Sequence, residues 1–152
     1  MLQRIQSLYL LLLTVSCVVF YFIPIATYST DFGILTFDIF GGDIAKIDIP
    51  NTIFLILINS LIAILTIAII FLYKKRKLQI KLLMIDMLLA LALVAVLYII
   101  VSAKIENLPE ILSETQYQIG AFLPLLNIIF IILTNRTIRK DEVLVRSADR
   151  LR

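Results

Sequence analysis

Two long apolar runs on either side of a short basic stretch constrain this chain more than any other feature. The runs cover residues 53–73 and 82–101, and between them lie Lys74–Lys77 and Lys81. A helix of about 20 apolar residues spans a bilayer, and short loops rich in Lys and Arg stay in the cytoplasm. The pattern therefore predicts a hairpin of two transmembrane helices whose turn lies in the cytoplasm.

Composition extends this prediction to the whole chain. Hydrophobic residues make up 61% of the 152 residues and the mean hydropathy is +1.04, whereas a soluble domain is roughly 45–50% apolar. We predict an all-α membrane protein that forms one domain over residues 1–152. Its four transmembrane helices form an up-down bundle and cover about residues 5–25, 51–73, 82–103 and 118–134.

The distribution of charge predicts the orientation in the membrane. Two of the 14 Lys and Arg residues, Lys46 and Lys104, lie in the predicted outer segments 26–50 and 104–117. The others are Arg4, the basic residues of the inner loop 74–81 and those of the tail 135–152. The positive-inside rule then places both termini in the cytoplasm. We predict a multi-pass protein of the bacterial inner (cytoplasmic) membrane.

Histidine is absent, and Cys17 is the single cysteine. A Cys/His zinc site, an intramolecular disulfide and Ser-His catalysis are therefore excluded. We find no catalytic constellation, and we predict no enzyme activity, no cofactor and no metal. The basic residues lie along the inner membrane face without accompanying aromatic residues on which bases could stack, so we expect no nucleic-acid partner.

The first outer segment has the alternating pattern of β-structure. Residues 32–40 and 44–49 alternate approximately between apolar and polar or small side chains, and Gly41, Gly42 and Asp43 lie between them. This pattern predicts a β-hairpin with a glycine turn, and an apolar loop is the alternative. The second outer segment is acidic, and Pro109 is typical of the start of a helical turn.

Each predicted helix carries a sparse stripe of polar or small residues at helical spacing. The stripes consist of Ser7, Thr14, Cys17 and Tyr21; Thr52, Asn59, Ala63, Thr66 and Tyr73; Asp86 and Ala90; and Gly120, Pro124, Asn127 and Thr134. Membrane helices pack through small residues and occasional hydrogen bonds. The stripes therefore predict the seam between the helices, and a polar conduit is the alternative.

Two asparagines in these stripes lie at one predicted depth. Asn59 and Asn127 are each roughly 12–14 Å from the outer end of their helix, at 1.5 Å per residue. We predict that they form a hydrogen-bonded lock between the second and fourth helices.

Asp86 is the one acidic residue within an apolar run, and acids inside membranes are functional candidates. It lies roughly 8 Å past Lys81 along a helix, and Arg4 lies at a similar level. We predict a structural Arg4–Asp86 pair at the inner boundary, and a proton- or ion-coupling site is the alternative.

The tail 135–152 has the pattern of an amphipathic helix that continues the fourth span. Arg136, Arg139, Arg146 and Arg150 share one face, and apolar residues occupy the opposite face. Such a helix can lie on anionic lipid, dock on a protein partner, or serve only as a soluble tail that sets topology. We predict that these arginines bind lipid or a partner.

The two ends of the chain carry a resemblance. The opening MLQRIQSLYL and the tail, NRTIRKDEVLVRSADRLR, together with four spans, resemble a family of short bacterial membrane proteins described as being of unknown function. That family is typical of Bacteroidetes-type Gram-negative bacteria. The resemblance implies the inner membrane and four helices, and it implies no activity, cofactor or site residue.

Three functions are compatible with this sequence. We favour a non-catalytic accessory or assembly subunit of an inner-membrane complex, which docks through its basic tail on a membrane-protein partner or a second copy. The alternative is a small oligomeric transporter or channel that uses Asp86 and the Asn and Thr stripes. A membrane enzyme using outer carboxylates has the least support, because acidic outer loops are ordinary solvated surface.

Overall fold

The computed structural model describes residues 2–30, 33–42, 52–73, 75–105 and 115–150, without the side chains of residues 2–4, 42, 103–105 and 144–150. Within these ranges four long helices dominate. They are α1 (Leu2–Val19), α2 (Ile53–Phe71), α3 (Arg76–Ile99) and α4 (Ile119–Arg150). A π-helical turn, Ile100–Ile105, continues α3.

Three of these helices are long and apolar enough to cross a membrane, over Ile53–Phe71, Arg76–Ser102 and Ile119–Val143. The apolar part of the first helix, Ile5–Val19, is shorter. Apolar side chains also cover the outside of the helices, and Leu57, for example, is 58% exposed. An apolar outer surface on an already packed helix is typical of a protein that faces lipid.

Two helix ends differ from the sequence prediction, the end of the first helix and the beginning of the third. The first helix ends at Val19 rather than near residue 25, because the backbone tightens into a turn at residues 20–22. There the Tyr21 and Phe22 N–H groups donate to carbonyls three residues earlier, and Pro24 prevents the helix from resuming. The third helix begins at Arg76 rather than near residue 82, since Arg, Lys, Leu and Gln are good helix formers.

The fourth helix runs without interruption into the tail. It covers 32 residues, which confirms the prediction that the tail continues the fourth span as a helix. Pro124 lies within it and removes one backbone hydrogen bond near its beginning, which a packed membrane helix tolerates.

A small antiparallel sheet lies next to the ends of α1 and α4. Its strands are β1 (Ala26–Thr30), β2 (Gly33–Asp38), β3 (Gly41–Gly42) and β4 (Gln116–Tyr117), in the order β3-β2-β1-β4. The predicted glycine turn is wrong in register, because Gly41 and Gly42 already pair with Asp38 and Phe37. The turn lies at Ile39 and Phe40, where the Asp38 carboxylate accepts from the Phe40 N–H at 2.8 Å. Gly41 has φ +121°, a conformation that favours glycine.

Two outer features of the sequence prediction lie outside the described residues. These are the strand at residues 44–49 and the turn at Pro109. The structure adds β1 and β4, which the sequence pattern did not indicate.

Each helix packs against two others: α1 against α2 and α4, and α3 against α2 and α4. Contacts at the helix ends give the direction of α4. The Gly120 N–H at the start of α4 donates to the Pro24 carbonyl after α1, and Arg76 at the start of α3 pairs with Asp141 late in α4. The α4 helix therefore runs antiparallel to both α1 and α3.

Candidate functional site

The buried faces of α2 and α3 carry polar side chains in register with apolar ones. The buried residues of α2 are Leu55, Asn59, Ile62, Thr66 and Ile69, and those of α3 are Gln79, Leu83, Asp86, Ala90, Leu93 and Leu97. Both sets follow the three- and four-residue spacing of one helix face. The polar members therefore lie in the interior between the helices, where each must find a partner.

Asn59 and Asn127 both donate to Cys17 on α1. The Asn59 side-chain amide donates to the Cys17 backbone carbonyl at 3.0 Å. The Asn127 amide nitrogen lies 3.6 Å from the Cys17 sulfur. All three residues are at most 1% exposed. The direct Asn59–Asn127 lock stays a prediction, whereas the bonds that the structure shows connect α2 and α4 through α1.

The Cys17 carbonyl is open to Asn59 because of how α1 ends. In a continuing α-helix this carbonyl would accept the Tyr21 N–H, four residues on. Tyr21 instead donates to the Val18 carbonyl at 3.1 Å. The tightened end thus leaves a buried carbonyl that needs a donor, and the Asn59 amide supplies one from the neighbouring helix.

Thr66 and Asp86 form the second part of the site. The Thr66 hydroxyl lies 3.0 Å from Asp86 Oδ2 and 2.9 Å from the Ile62 carbonyl of its own helix. Both side chains are fully buried. Thr66 lies about two helical turns after Asn59 on the same buried face of α2. The Thr66–Asp86 pair therefore belongs to the same interior as Asn59.

Several oxygens of this site have no hydrogen-bond partner within the described part of the chain. They are Asn59 Oδ1, Asp86 Oδ1, Asn127 Oδ1 and the nearby Ser16 Oγ. Each belongs to a side chain that is almost wholly buried. Unpaired buried acceptors cost free energy, and three of these four have no hydrogen of their own to donate. The interior site is therefore rich in acceptors and poor in donors.

Hydrogen bonds of Tyr21 and Gln79 flank the site. Towards the sheet, the Tyr21 hydroxyl lies 2.7 Å from the Ser60 hydroxyl and 3.3 Å from the Ile56 carbonyl. At the other end, the buried Gln79 amide donates to the Ile69 carbonyl at 2.9 Å. We define Cys17, Asn59, Thr66, Asp86 and Asn127 as the polar cluster.

The tail side of the fold has a different chemistry. Arg76 Nη2 lies 3.1 Å from Asp141 Oδ2, and Ile138, one turn earlier on α4, is fully buried. Arg136, Arg139 and Lys140 are exposed, although Arg139 Nε also donates to Asn135 at 3.1 Å. The beginning of the tail is therefore fixed to the fold while its basic side chains face outward.

The sequence prediction found part of this site. Arg4, Arg146 and Arg150 have side chains outside the described residues, so the Arg4–Asp86 pair and the rest of the arginine face stay predictions. Thr66 was placed in a packing stripe but not recognised as the partner of Asp86. The sequence did contain a signal for this pair, because Thr66 and Asp86 are polar residues on two consecutive apolar helices that form a hairpin.

The described residues contain no group of three or more His, Cys, Asp or Glu side chains that could hold a metal ion.

Comparison with known protein families places the chain in a family. A family described as a domain of unknown function, DUF4293, matches residues 2–151. The chain belongs to this family. The resemblance to a family of unknown function that the two ends of the sequence carry is therefore confirmed. No curated protein and no solved structure matches this DUF4293 chain.

Proposed function

We propose that this DUF4293 protein is a non-catalytic accessory or assembly subunit of a bacterial inner-membrane complex. In this proposal the four helices form an up-down bundle that crosses the membrane four times. Both termini lie in the cytoplasm, as the positive-inside rule requires. The tail is the docking element, and its partner is a membrane protein or a second copy of the chain.

The observation that carries the proposal is the continuity of α4 from Ile119 to Arg150. Isolated helices of this composition are marginal in water, but the tail is held at two points. Ile138 is fully buried, and Asp141 is paired with Arg76. Arg136, Arg139 and Lys140 are thereby displayed on a fixed helix face, as a partner rich in carboxylates or phosphates requires.

Antiparallel packing of α4 against α1 and α3 supports the up-down arrangement. The first helix is the shortest apolar segment, with Ile5–Val19 apolar. The residues after it, up to Ile25, are apolar as well and extend the hydrophobic length beyond the helix. This supports a fourth crossing, because about 20 apolar residues are needed.

Co-purification tests the docking role. The tagged full chain is isolated from gently solubilised native membranes in three forms: wild type, Arg136→Gln with Arg139→Gln, and Lys77→Gln with Lys81→Gln. The last form removes the same charge from exposed positions outside the tail. We expect a defined partner with the wild type and the loop variant, and at least a tenfold loss with the tail variant. Isolation of a lone monomer in all three would contradict the proposal.

A small oligomeric transporter or channel is the second candidate. The observation that favours it is Asp86, an acid that is fully buried and has Oδ1 without a partner among the described residues. Acids in such positions mark ion and proton pathways in many membrane proteins. Flux through vesicles that contain the purified chain, abolished by Asp86→Asn, would support this candidate; flux unchanged by that substitution would remove it.

A further inference from the structure

The Thr66 hydroxyl is shared between two acceptors. It lies 2.9 Å from the Ile62 carbonyl and 3.0 Å from Asp86 Oδ2. A hydroxyl has one hydrogen to donate and two lone pairs that accept. If Asp86 is ionised, Thr66 satisfies only one acceptor at a time. If Asp86 carries a hydrogen on Oδ2, it donates to Thr66 while Thr66 donates to Ile62, and both contacts are hydrogen bonds.

The surroundings of Asp86 supply few charges. No charged residue occurs in α2 or in α4 before Arg136. On α3 the nearest charged residue is Lys81, more than one turn away. The ionisable residues of α1 are Arg4, Tyr9 and Cys17, and Tyr21 follows that helix.

Depth adds a further cost to an ionised carboxylate. Asp86 lies about 8 Å along α3 from the exposed Lys81, within the stretch Arg76–Ser102 that is long and apolar enough to cross a membrane. Asp86 Oδ1 has no hydrogen-bond donor among the described residues. A carboxylate there would lack compensation, whereas a neutral carboxyl group leaves only one weak acceptor unpaired.

We propose that Asp86 and Thr66 form a proton-binding site inside the membrane, with Asp86 Oδ2 carrying an exchangeable proton. When the proton leaves to water, the Thr66 hydrogen turns from the Ile62 carbonyl to the carboxylate. Proton binding thus changes the hydrogen bond that links α2 to α3. This site does not depend on the docking role of the tail, since its residues are separate from Arg136 and Arg139.

Infrared spectroscopy of the full chain in lipid vesicles tests the proposal. The spectrum is recorded at about pH 7, where a carboxyl group in water is ionised because model Asp and Glu side chains titrate near about 4. We expect a carbonyl stretching band of a protonated carboxyl group in the wild type. The band moves to lower frequency when aspartate is labelled with ¹³C, and it moves again when H₂O is replaced by D₂O. Labelling assigns the band to an aspartate, and the substitutions at position 66 assign it to Asp86.

Substitutions at position 66 connect the proton to the hydrogen bond. Thr66→Ser keeps the hydroxyl, and we expect the band at nearly its wild-type frequency. Thr66→Val is similar in shape but has no hydroxyl, and we expect a shift to higher frequency because the carboxyl group loses its acceptor. An identical band in all three proteins would show that the protonated carboxyl group is not hydrogen-bonded to Thr66, and it would overturn the proposed site.

Three other results would also overturn it. If the wild type lacks the band and Arg4→Gln creates it, Asp86 is ionised and paired with Arg4. A band that D₂O leaves unchanged shows a trapped rather than an exchangeable proton. Loss of the band on addition of sodium chloride but not choline chloride, at constant pH, makes Na⁺ the ligand.

Discussion

The Asn59 side chain donates to the backbone carbonyl of Cys17 at 3.0 Å, across the contact between α2 and α1. The carbonyl is open because Tyr21 donates to Val18 instead. The tightened end of α1 therefore leaves one backbone carbonyl without its helical donor, and the side-chain amide of Asn59 on α2 supplies that donor. The pairing explains why an asparagine lies on an otherwise apolar buried face.

The first prediction concerns the donor at position 59. Asn59→Leu is similar in size but removes the donor, and Asn59→Ala removes the whole group. We expect both to lower the free energy of unfolding in detergent by about 1–3 kcal/mol, because the Cys17 carbonyl is left unsatisfied. Ile64→Ala, at a side chain that is 63% exposed, is the control and should change stability little. Full stability of Asn59→Leu would show that the bond contributes nothing.

The second prediction concerns the salt bridge that holds the tail. Arg76 and Asp141 are 34% and 17% exposed, so we expect a modest coupling energy, about 0.5–1 kcal/mol in a double-mutant cycle. Proteolysis between residues 141 and 150 should become faster in Asp141→Asn, and Arg76→Asp combined with Asp141→Arg should restore resistance. Unchanged proteolysis in Asp141→Asn would mean that the bridge does not hold the tail.

The third prediction concerns the closest approach of α4 to the end of α1. A Cβ atom on Gly120 would press on the backbone carbonyls of Pro24 and Ile23, and backbone atoms cannot turn aside as a side chain can. We expect Gly120→Ala to destabilise the fold by about 1–3 kcal/mol. Ile119→Ala, next to it at a 69% exposed side chain, is the control. The measurement is the thermal unfolding of both variants. Equal stability of Gly120→Ala and Ile119→Ala would contradict the close contact.

The fourth prediction uses the single cysteine as a reporter. Cys17 is fully buried, so a maleimide should react with it only after the fold opens. We expect little labelling of the native protein and rapid labelling in denaturant. In Cys17→Ser with Val143→Cys, where position 143 is 66% exposed in the wild type, labelling of the native protein should be fast. Rapid labelling of native Cys17 would contradict its burial.

The fifth prediction concerns orientation. Single cysteines are introduced at Ile34 and at Val143, each in a Cys17→Ser background, and treated with a thiol reagent that does not cross membranes. In intact spheroplasts we expect reaction at position 34 alone, and after lysis at both. Both side chains are well exposed, 74% and 66%, so access is limited by the membrane. Reaction at position 143 before lysis would reverse the proposed topology.

The apolar runs were enough to predict the helices, because length and hydropathy alone determine whether a segment can span a bilayer. Helix ends were harder to predict. Lys75, Arg76 and Lys77 were assigned to a loop by charge, yet the helix begins at Arg76, since charged residues with long side chains form helices well outside the bilayer.

The polar cluster was predicted only in part. Its bond from Asn59 to the Cys17 carbonyl depends on the non-helical backbone that follows α1. No sequence rule showed that the Cys17 carbonyl would be left open, since this follows from the tightened turn before Pro24. The strand at Gln116–Tyr117 pairs with residues 26 and 27, nearly 90 positions earlier in the chain. A two-residue strand carries no periodic pattern, and only the packing of α1 against α4 brings it to the sheet edge.

The docking role of the tail is tested most directly by cross-linking in living cells. A photoreactive amino acid is placed at Val143, an exposed position between Asp141 and the end of α4, and at Leu88, which is 67% exposed on the membrane-spanning part of α3. The account predicts one discrete cross-linked product from position 143, lost when Arg136→Gln and Arg139→Gln are added, and a different pattern from position 88. Only uncross-linked chain from position 143, with or without these substitutions, would contradict it.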